Sequence, residues 1–148
     1  MTKLSFVVLD ALPVKGRVAV RGRGRIAELC RRVLAWAGQD LVDGEEDLDV
    51  LVTTGIGGVC DLEAVRPGGL VLLKGRPSGP VQLDQKAVVE KRLSLRGLDY
   101  GDFGEAARLL TTGEVLVDDL FDQPRPLEAF AGAFRVCEHR KAFLDPRA

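Results

Sequence analysis

The chain has 148 residues, enough for one domain with a core of its own and too few for two of ordinary size. With 46% hydrophobic and 29% charged residues its usage is globular, which excludes a disordered chain. A formal net charge of −1 gives no overall attraction to nucleic acid or to an anionic membrane surface, so neither is expected as a partner.

Leu4 to Leu9 reads as a short strand. Its apolar stretch is too short for a secretion signal and runs straight into Asp10, and no apolar run in the chain approaches the length of a membrane span. The three cysteines, Cys30, Cys60 and Cys137, are widely spread and form no C-x-x-C pair. That pattern fits a reducing compartment, so a cytoplasmic protein is expected. With His139 the single histidine and no ligand spacing among the cysteines, no metal site is expected.

Arg17 to Arg21 is a second strand, and glycines follow it at once. From Ile26 the apolar positions are Ile26, Leu29, Cys30, Val33, Leu34 and Ala37, one stripe of a 3.6-residue period, with Gly38 placed to end the helix. Cys30 on that stripe reads as core. Asp40 to Asp49 is acidic and loop-like. Asp49 to Thr53 is a continuously apolar strand, as in a parallel sheet covered on both faces. Leu62 to Val65 reads as one helical turn, Pro67-Gly68-Gly69 as a turn, and Leu70 to Leu73 as another apolar strand.

Val81 to Lys91 reads as partly helical, and Leu93 to Gly97 as a strand at a sheet edge. Phe103 to Leu110 reads as a helix ended by Gly113, Val115 to Phe121 as extended, and Leu127 to His139 as the last helix, with Phe130, Ala133, Phe134 and Cys137 on one stripe. Lys141 to Leu144 is a final short strand. Strands alternate with helices and the central strands are uniformly apolar, which predicts a parallel α/β sheet.

The turn after Arg21 reads Gly22-Arg23-Gly24-Arg25-Ile26-Ala27, which is G-x-G-x-x-A between a strand and a helix. In such a turn the first glycine permits a tight bend and the second lets the backbone approach a pyrophosphate. The small third residue lets helix and strand pack. The helix N-terminus then presents free N–H groups to an anion. A glycine-rich turn with no ligand is the competing reading.

The succession continues with Asp49 to Gly55, Arg66 to Gly75, Leu93 to Gly97, Asp102 to Gly113, Pro126 to Phe134 and Lys141 to Pro146. In this order and spacing it resembles the C-terminal half of medium-chain, zinc-type alcohol dehydrogenases and quinone reductases, from about Leu12 to Pro146. The resemblance implies a Rossmann-like α/β domain that binds NAD(P). In that family a separate GroES-like domain carries the catalytic zinc and most of the substrate pocket. Here only residues 1–12 could be a vestige of it, so 1–148 is expected to be one truncated Rossmann-like domain without zinc.

A second departure lies inside the domain. Gly38 is followed by ten residues before Asp49, too few for a strand, a crossover helix and a further strand. The strand and helix on the ribose side of the pocket are therefore expected to be missing. Asp43 stands at the spacing of the family's ribose-binding acid, but its setting in Asp40 to Asp47 reads as a solvated acidic loop.

What remains is the crevice at the carboxyl ends of the strands, where open α/β sheets bind ligands. Gly22, Arg23, Gly24, Ala27, Thr54, Gly55, Gly75 and Arg76 are the candidate cofactor contacts. Arg21, Arg23, Lys74 and Arg76 beside a helix N-terminus favour an anionic small molecule. Pairing of these cations with the Asp43–Asp49 loop is the alternative.

Three functions stay open. One is an NAD(P)-dependent oxidoreductase acting on a small molecule, with Arg23 or Arg25 on an NADP phosphate. The second is a cofactor-independent isomerase, cyclase or lyase, of the kind found in biosynthesis, that uses Lys74, Asp99 and Tyr100 as catalytic acid–base groups. The third is a non-catalytic partner protein, since the missing elements should leave apolar sheet surface uncovered. The family resemblance also implies a homodimer through the strand Leu93 to Gly97.

Overall fold

The computed structural model describes residues 12, 15–43, 46–55, 61–99, 101–134 and 140–147. The strand read over Leu4 to Leu9, together with Cys60, Tyr100, Cys137 and His139, lies outside them. The described chain forms a five-stranded, fully parallel sheet: β1 (Arg17–Arg21), β2 (Asp40–Leu41), β3 (Leu48–Thr53), β4 (Val65–Leu73) and β5 (Ser94–Gly97), in the order β2-β1-β3-β4-β5. Helices α1 (Arg25–Trp36), α2 (Gln85–Lys91), α3 (Phe103–Thr111) and α4 (Phe130–Phe134) follow in chain order. A small parallel pair, β6 (Arg125–Pro126) with β7 (Leu144–Asp145), completes the described elements. Among the described residues no helix is long and apolar enough to cross a membrane.

α1 is the helix its periodicity predicts. Ala27, Leu29, Cys30, Val33 and Leu34 are buried. Its C-terminus closes with Gly38 at φ +70°, where the Gly38 N–H donates to the Ala35 carbonyl and the Gln39 N–H to the Leu34 carbonyl. That pair of bonds satisfies two carbonyls of the last turn and needs the left-handed residue that glycine supplies. Asp84 and Asp102 cap α2 and α3, each accepting a main-chain N–H three residues on, from Ala87 and Glu105.

The sheet is covered on both sides. Val18, Val20, Val50, Val52 and Leu72 pack on α1 through Ala27, Cys30 and Leu34. On the opposite face Ala19, Leu51 and Val71 pack with Leu62, Ala64 and Ala87. α3 lies outside α1, with Ala106 and Leu109 against Val33. The expectation of uncovered apolar sheet is thus corrected: Val18 to Val20 and Val50 to Val52 are all buried. The exposed large apolar side chains, such as Val89, Phe103 and Leu116, sit on helices and connections instead.

Four local readings also change. Asp40–Leu41 is a short edge strand bonded to β1, so the ribose-side strand survives as two residues rather than vanishing. Pro67-Gly68-Gly69 is not a separating turn. It is a bulge inside β4, whose pairing passes from Leu48↔Val65 directly to Val50↔Leu70, with Gly68 at φ +75°. Within the stretch read as extended, Asp118–Leu120 is a 3-10 turn. Leu127–Ala129 is 3-10 and only Phe130–Phe134 is α-helical among the described residues, with Phe130 exposed rather than on a buried stripe.

At the opposite end of the sheet from the glycine turn, Asp49 ties three elements together. Its carboxylate accepts the Arg17 N–H at 2.8 Å and Arg66 Nε at 2.5 Å. The Arg17 amide first, then the Arg66 guanidinium, hold its pKa below the usual aspartate value. A depressed folded-state pKa gives stability that is present above the unfolded value near 3.9 and is lost as pH falls through the folded one. Asp49→Asn is expected to cost about 1–2 kcal/mol in urea unfolding at pH 7. The gap from the parent should close progressively below about pH 4; a gap that stays constant on acidification would refute the ionic role.

Candidate functional site

The site is built where β1, β3, β4 and β5 end. The Thr54 N–H donates to the Arg21 carbonyl at 2.8 Å, and its hydroxyl lies 3.3 Å from the same oxygen. The Lys74 and Gly75 N–H groups both donate to the Thr53 carbonyl, and the Leu98 N–H to that of Leu73. The strand ends are thereby bonded to one another through backbone rather than side chains.

Two glycines let them close in. A Cβ on Gly22 would stand 2.2 Å from Thr54 Oγ1 and 3.1 Å from the Gly55 nitrogen, and its φ of +131° is itself outside the range of ordinary residues. A Cβ on Gly75 would stand 2.2 Å from the Gly55 carbonyl oxygen. Gly55 has open space at its own Cβ position, so this turn faces outward.

Gly24 is the N-cap residue of α1 at φ 80° and ψ −177°, a region open essentially to glycine alone. It supplies no side-chain cap, so the first-turn amides of α1 keep their attraction for an external anion. Ala27 is fully buried against β1, where a larger residue would push the helix from the sheet. Gly22, Gly24 and Ala27 therefore each do what the turn motif requires, and this donor set fits a pyrophosphate.

β2 stops at Leu41, and its last bond to β1 is the Val42 N–H on the Val18 carbonyl. Farther along the same edge Arg31 takes over: its Nη2 donates to the carbonyls of Val20 at 3.0 Å and of Gly22 at 3.3 Å. Arg31 falls off the apolar stripe of α1, and no local sequence signal marks it as an edge cap. Asp43 is exposed two residues beyond β2, on the same end of the sheet as the glycine turn, because β2 runs parallel to β1.

Of the acid–base candidates, Lys74 is buried and its Nζ donates to the Asp99 carbonyl at 2.5 Å. Burial pushes its pKa below the ordinary lysine value, with Arg76 adding to the effect and Cys30 and Asp99 opposing it. The Asp99 carboxylate itself is exposed and pairs with Arg76. Lys74 and Asp99 are thus brought together through the Asp99 main chain, and Arg76 pairs with Asp99 rather than with the acidic loop. Arg23 is exposed on the turn. Thr54 is buried beneath it.

The described residues form two depressions, one at each end of the sheet. One of about 310 Å³ lies beside the α1 N-terminus, lined by Gly24, Arg25, Arg31 and Arg140 together with Glu28 and Asp119. The other, of about 640 Å³, lies at the far end of the sheet, where Glu46, Asp47, Asp61 and Glu63 outnumber Arg66 and Lys91, a balance of the wrong sign for a phosphate. Among the described residues no group of three or more His, Cys, Asp or Glu is placed to hold a metal ion.

No family model and no curated protein sequence matches the chain. Solved structures do. A protein of Sinorhizobium meliloti assigned as a zinc-binding dehydrogenase and solved with NADP matches 98% of this chain at TM-score 0.81 and 16% identity. The 2R,3R-butanediol dehydrogenase of Bacillus subtilis matches 98% at TM-score 0.79 and 15% identity. Acetophenone reductase of Geotrichum candidum, solved with NAD, matches 90% at TM-score 0.73 and 13% identity. The chain spans 57%, 55% and 49% of these proteins respectively, about half of each. It has the Rossmann-like α/β fold of the part of these dehydrogenases that it covers.

The steric reading of the turn makes a direct prediction. Gly22→Ala should lower unfolding free energy by about 2–3 kcal/mol, from backbone strain plus the clash with Thr54. Adding Thr54→Ala should recover only part of the loss, because the Gly55 nitrogen and the positive φ remain. Full recovery in urea titrations would place the whole effect on the Thr54 side chain.

Proposed function

We propose that this chain binds an NAD(P) dinucleotide with its pyrophosphate on the Gly22–Ala27 turn, as the nucleotide-binding unit of an oxidoreductase acting on a small molecule. The observation that carries the reading is the uncapped N-terminus of α1 behind two glycines that accept no side chain. It is supported by the likeness to dehydrogenases solved with NADP and with NAD. When bound, the nicotinamide supplies a hydride donor or acceptor. The chain's own part is to hold and orient it: the α1 amides and Arg23 attract the diphosphate, and Thr54, Gly55, Gly75 and Arg76 form the floor of the crevice. Asp43 and the Arg25–Arg31 side of the turn meet the adenosine half, over a β2 cut to two residues.

Titration with NADPH, followed by nicotinamide fluorescence, should saturate in the micromolar range. Amide resonances of residues 23–27 should shift along the same curve. A flat titration up to millimolar nucleotide would remove the reading.

β5 carries a partner proposal as well. It is an edge strand bonded on one side by β4, with Ser94, Arg96 and Gly97 exposed. Such an edge presents free backbone groups to a second strand, and we propose a second copy of this chain as its occupant. Light scattering at micromolar concentration should give twice the 16.0 kDa chain mass, and Gly97→Pro, which removes an N–H on the open edge, should return it to the monomer.

A further inference from the structure

We infer that the strand-end crevice discriminates between the two redox states of the nicotinamide, favouring the reduced form, with Lys74 as the residue that sets the preference. The inference rests on the nucleotide reading above. A dinucleotide crosses such a sheet with one mononucleotide on each half. With the pyrophosphate on the turn after β1 and the adenosine half toward β2, the nicotinamide half lies over the ends of β3, β4 and β5.

Lys74 is the residue that follows β4. It is the one buried charged side chain among the described residues, 7% exposed. The Gly75 backbone next to it is pressed against Gly55, and its own ammonium is held on the Asp99 carbonyl, so it is fixed at the end of the sheet. That partner is a dipole and not a charge. Among the described residues Lys74 has no carboxylate within ion-pair distance, since the Asp99 carboxylate is engaged by Arg76. The other groups about it are Arg76 and the buried Cys30. Arg76 is exposed and paired with that carboxylate, so solvent and partner both screen it. The lowered pKa of Lys74 agrees with an ammonium that burial desolvates and no anion fully compensates.

The oxidised nicotinamide ring carries one positive charge and the reduced ring carries none. A buried, weakly screened cation therefore repels one form and not the other. Contacts to the diphosphate, the riboses and the adenine are common to both forms and cancel in the ratio. Two unit charges about 10 Å apart in a medium of effective dielectric about 20 are worth on the order of tenfold in affinity. The crevice so built retains NAD(P)H and releases NAD(P)+.

The test is equilibrium binding of NADPH and NADP+ to the full chain at pH 7, by calorimetry. We expect NADPH to bind about tenfold more tightly. Lys74→Met should bring the two affinities within about twofold, mainly by tightening NADP+, while Lys74→Arg should retain the preference. Equal affinities in the parent protein overturn the inference without any variant and leave the nucleotide reading standing. A preference that survives Lys74→Met overturns it too. Should circular dichroism show that Lys74→Met is unfolded, Lys74→Gln is read in its place. Failure of both nucleotides to bind the parent protein removes the nucleotide reading itself.

Discussion

The close approach of the strand ends is the constraint on which the rest of the site depends. Gly22 fits only because it has no side chain to meet Thr54, and Gly75 only because it has none to meet the Gly55 carbonyl. With those two contacts made, the backbone bonds from Thr54 to Arg21, and from Lys74 and Gly75 to Thr53, lock β1, β3 and β4 at a common level. The position of the α1 N-terminus follows, since two residues separate Gly22 from the first helical residue. So does the burial of Lys74, which is drawn inward beside Gly75 and meets the Asp99 carbonyl. A helix N-terminus left without a side-chain cap and a cation fixed at the sheet's end are thus two results of one packing requirement.

Much of this was legible in the sequence where a signal is local and periodic. The stripe through Leu29, Cys30, Val33 and Leu34 is a property of α1 alone, and Gly38 announces its end for a reason internal to the chain. The apolar runs at Val50 to Val52 and Leu70 to Leu73 declare strands buried on both faces, and the packing on both sides of the sheet agrees. The glycine turn was readable because its residues are chosen by backbone geometry.

The parts that were not legible arise from partners distant in the chain. Asp40 and Leu41 carry no strand pattern; pairing with Arg17 and Val18 makes them one. Pro67-Gly68-Gly69 carries a strong turn signal, and it does bend the backbone. The flanking pairs Leu48↔Val65 and Val50↔Leu70 turn that bend into a bulge within a single strand. Lys74 was identified as chemically interesting by its place after an apolar run. That its partner would be the main chain of Asp99, with the Asp99 carboxylate turned to Arg76, is decided by how β4 and β5 align.

Arg31 shows how the shortened sheet keeps its turn intact. A parallel sheet edge that ends early leaves main-chain carbonyls exposed along the neighbouring strand. Here those carbonyls belong to Val20 and Gly22, and the second of them is part of the glycine turn. The guanidinium satisfies both from one nitrogen, Nη2, at the end of a side chain long enough to reach the strand from α1. Gly22 is therefore held from two directions: by Thr54 and Gly55 on the β3 side, and by Arg31 on the open edge. β2 is only two residues long, yet its shortness does not loosen the turn.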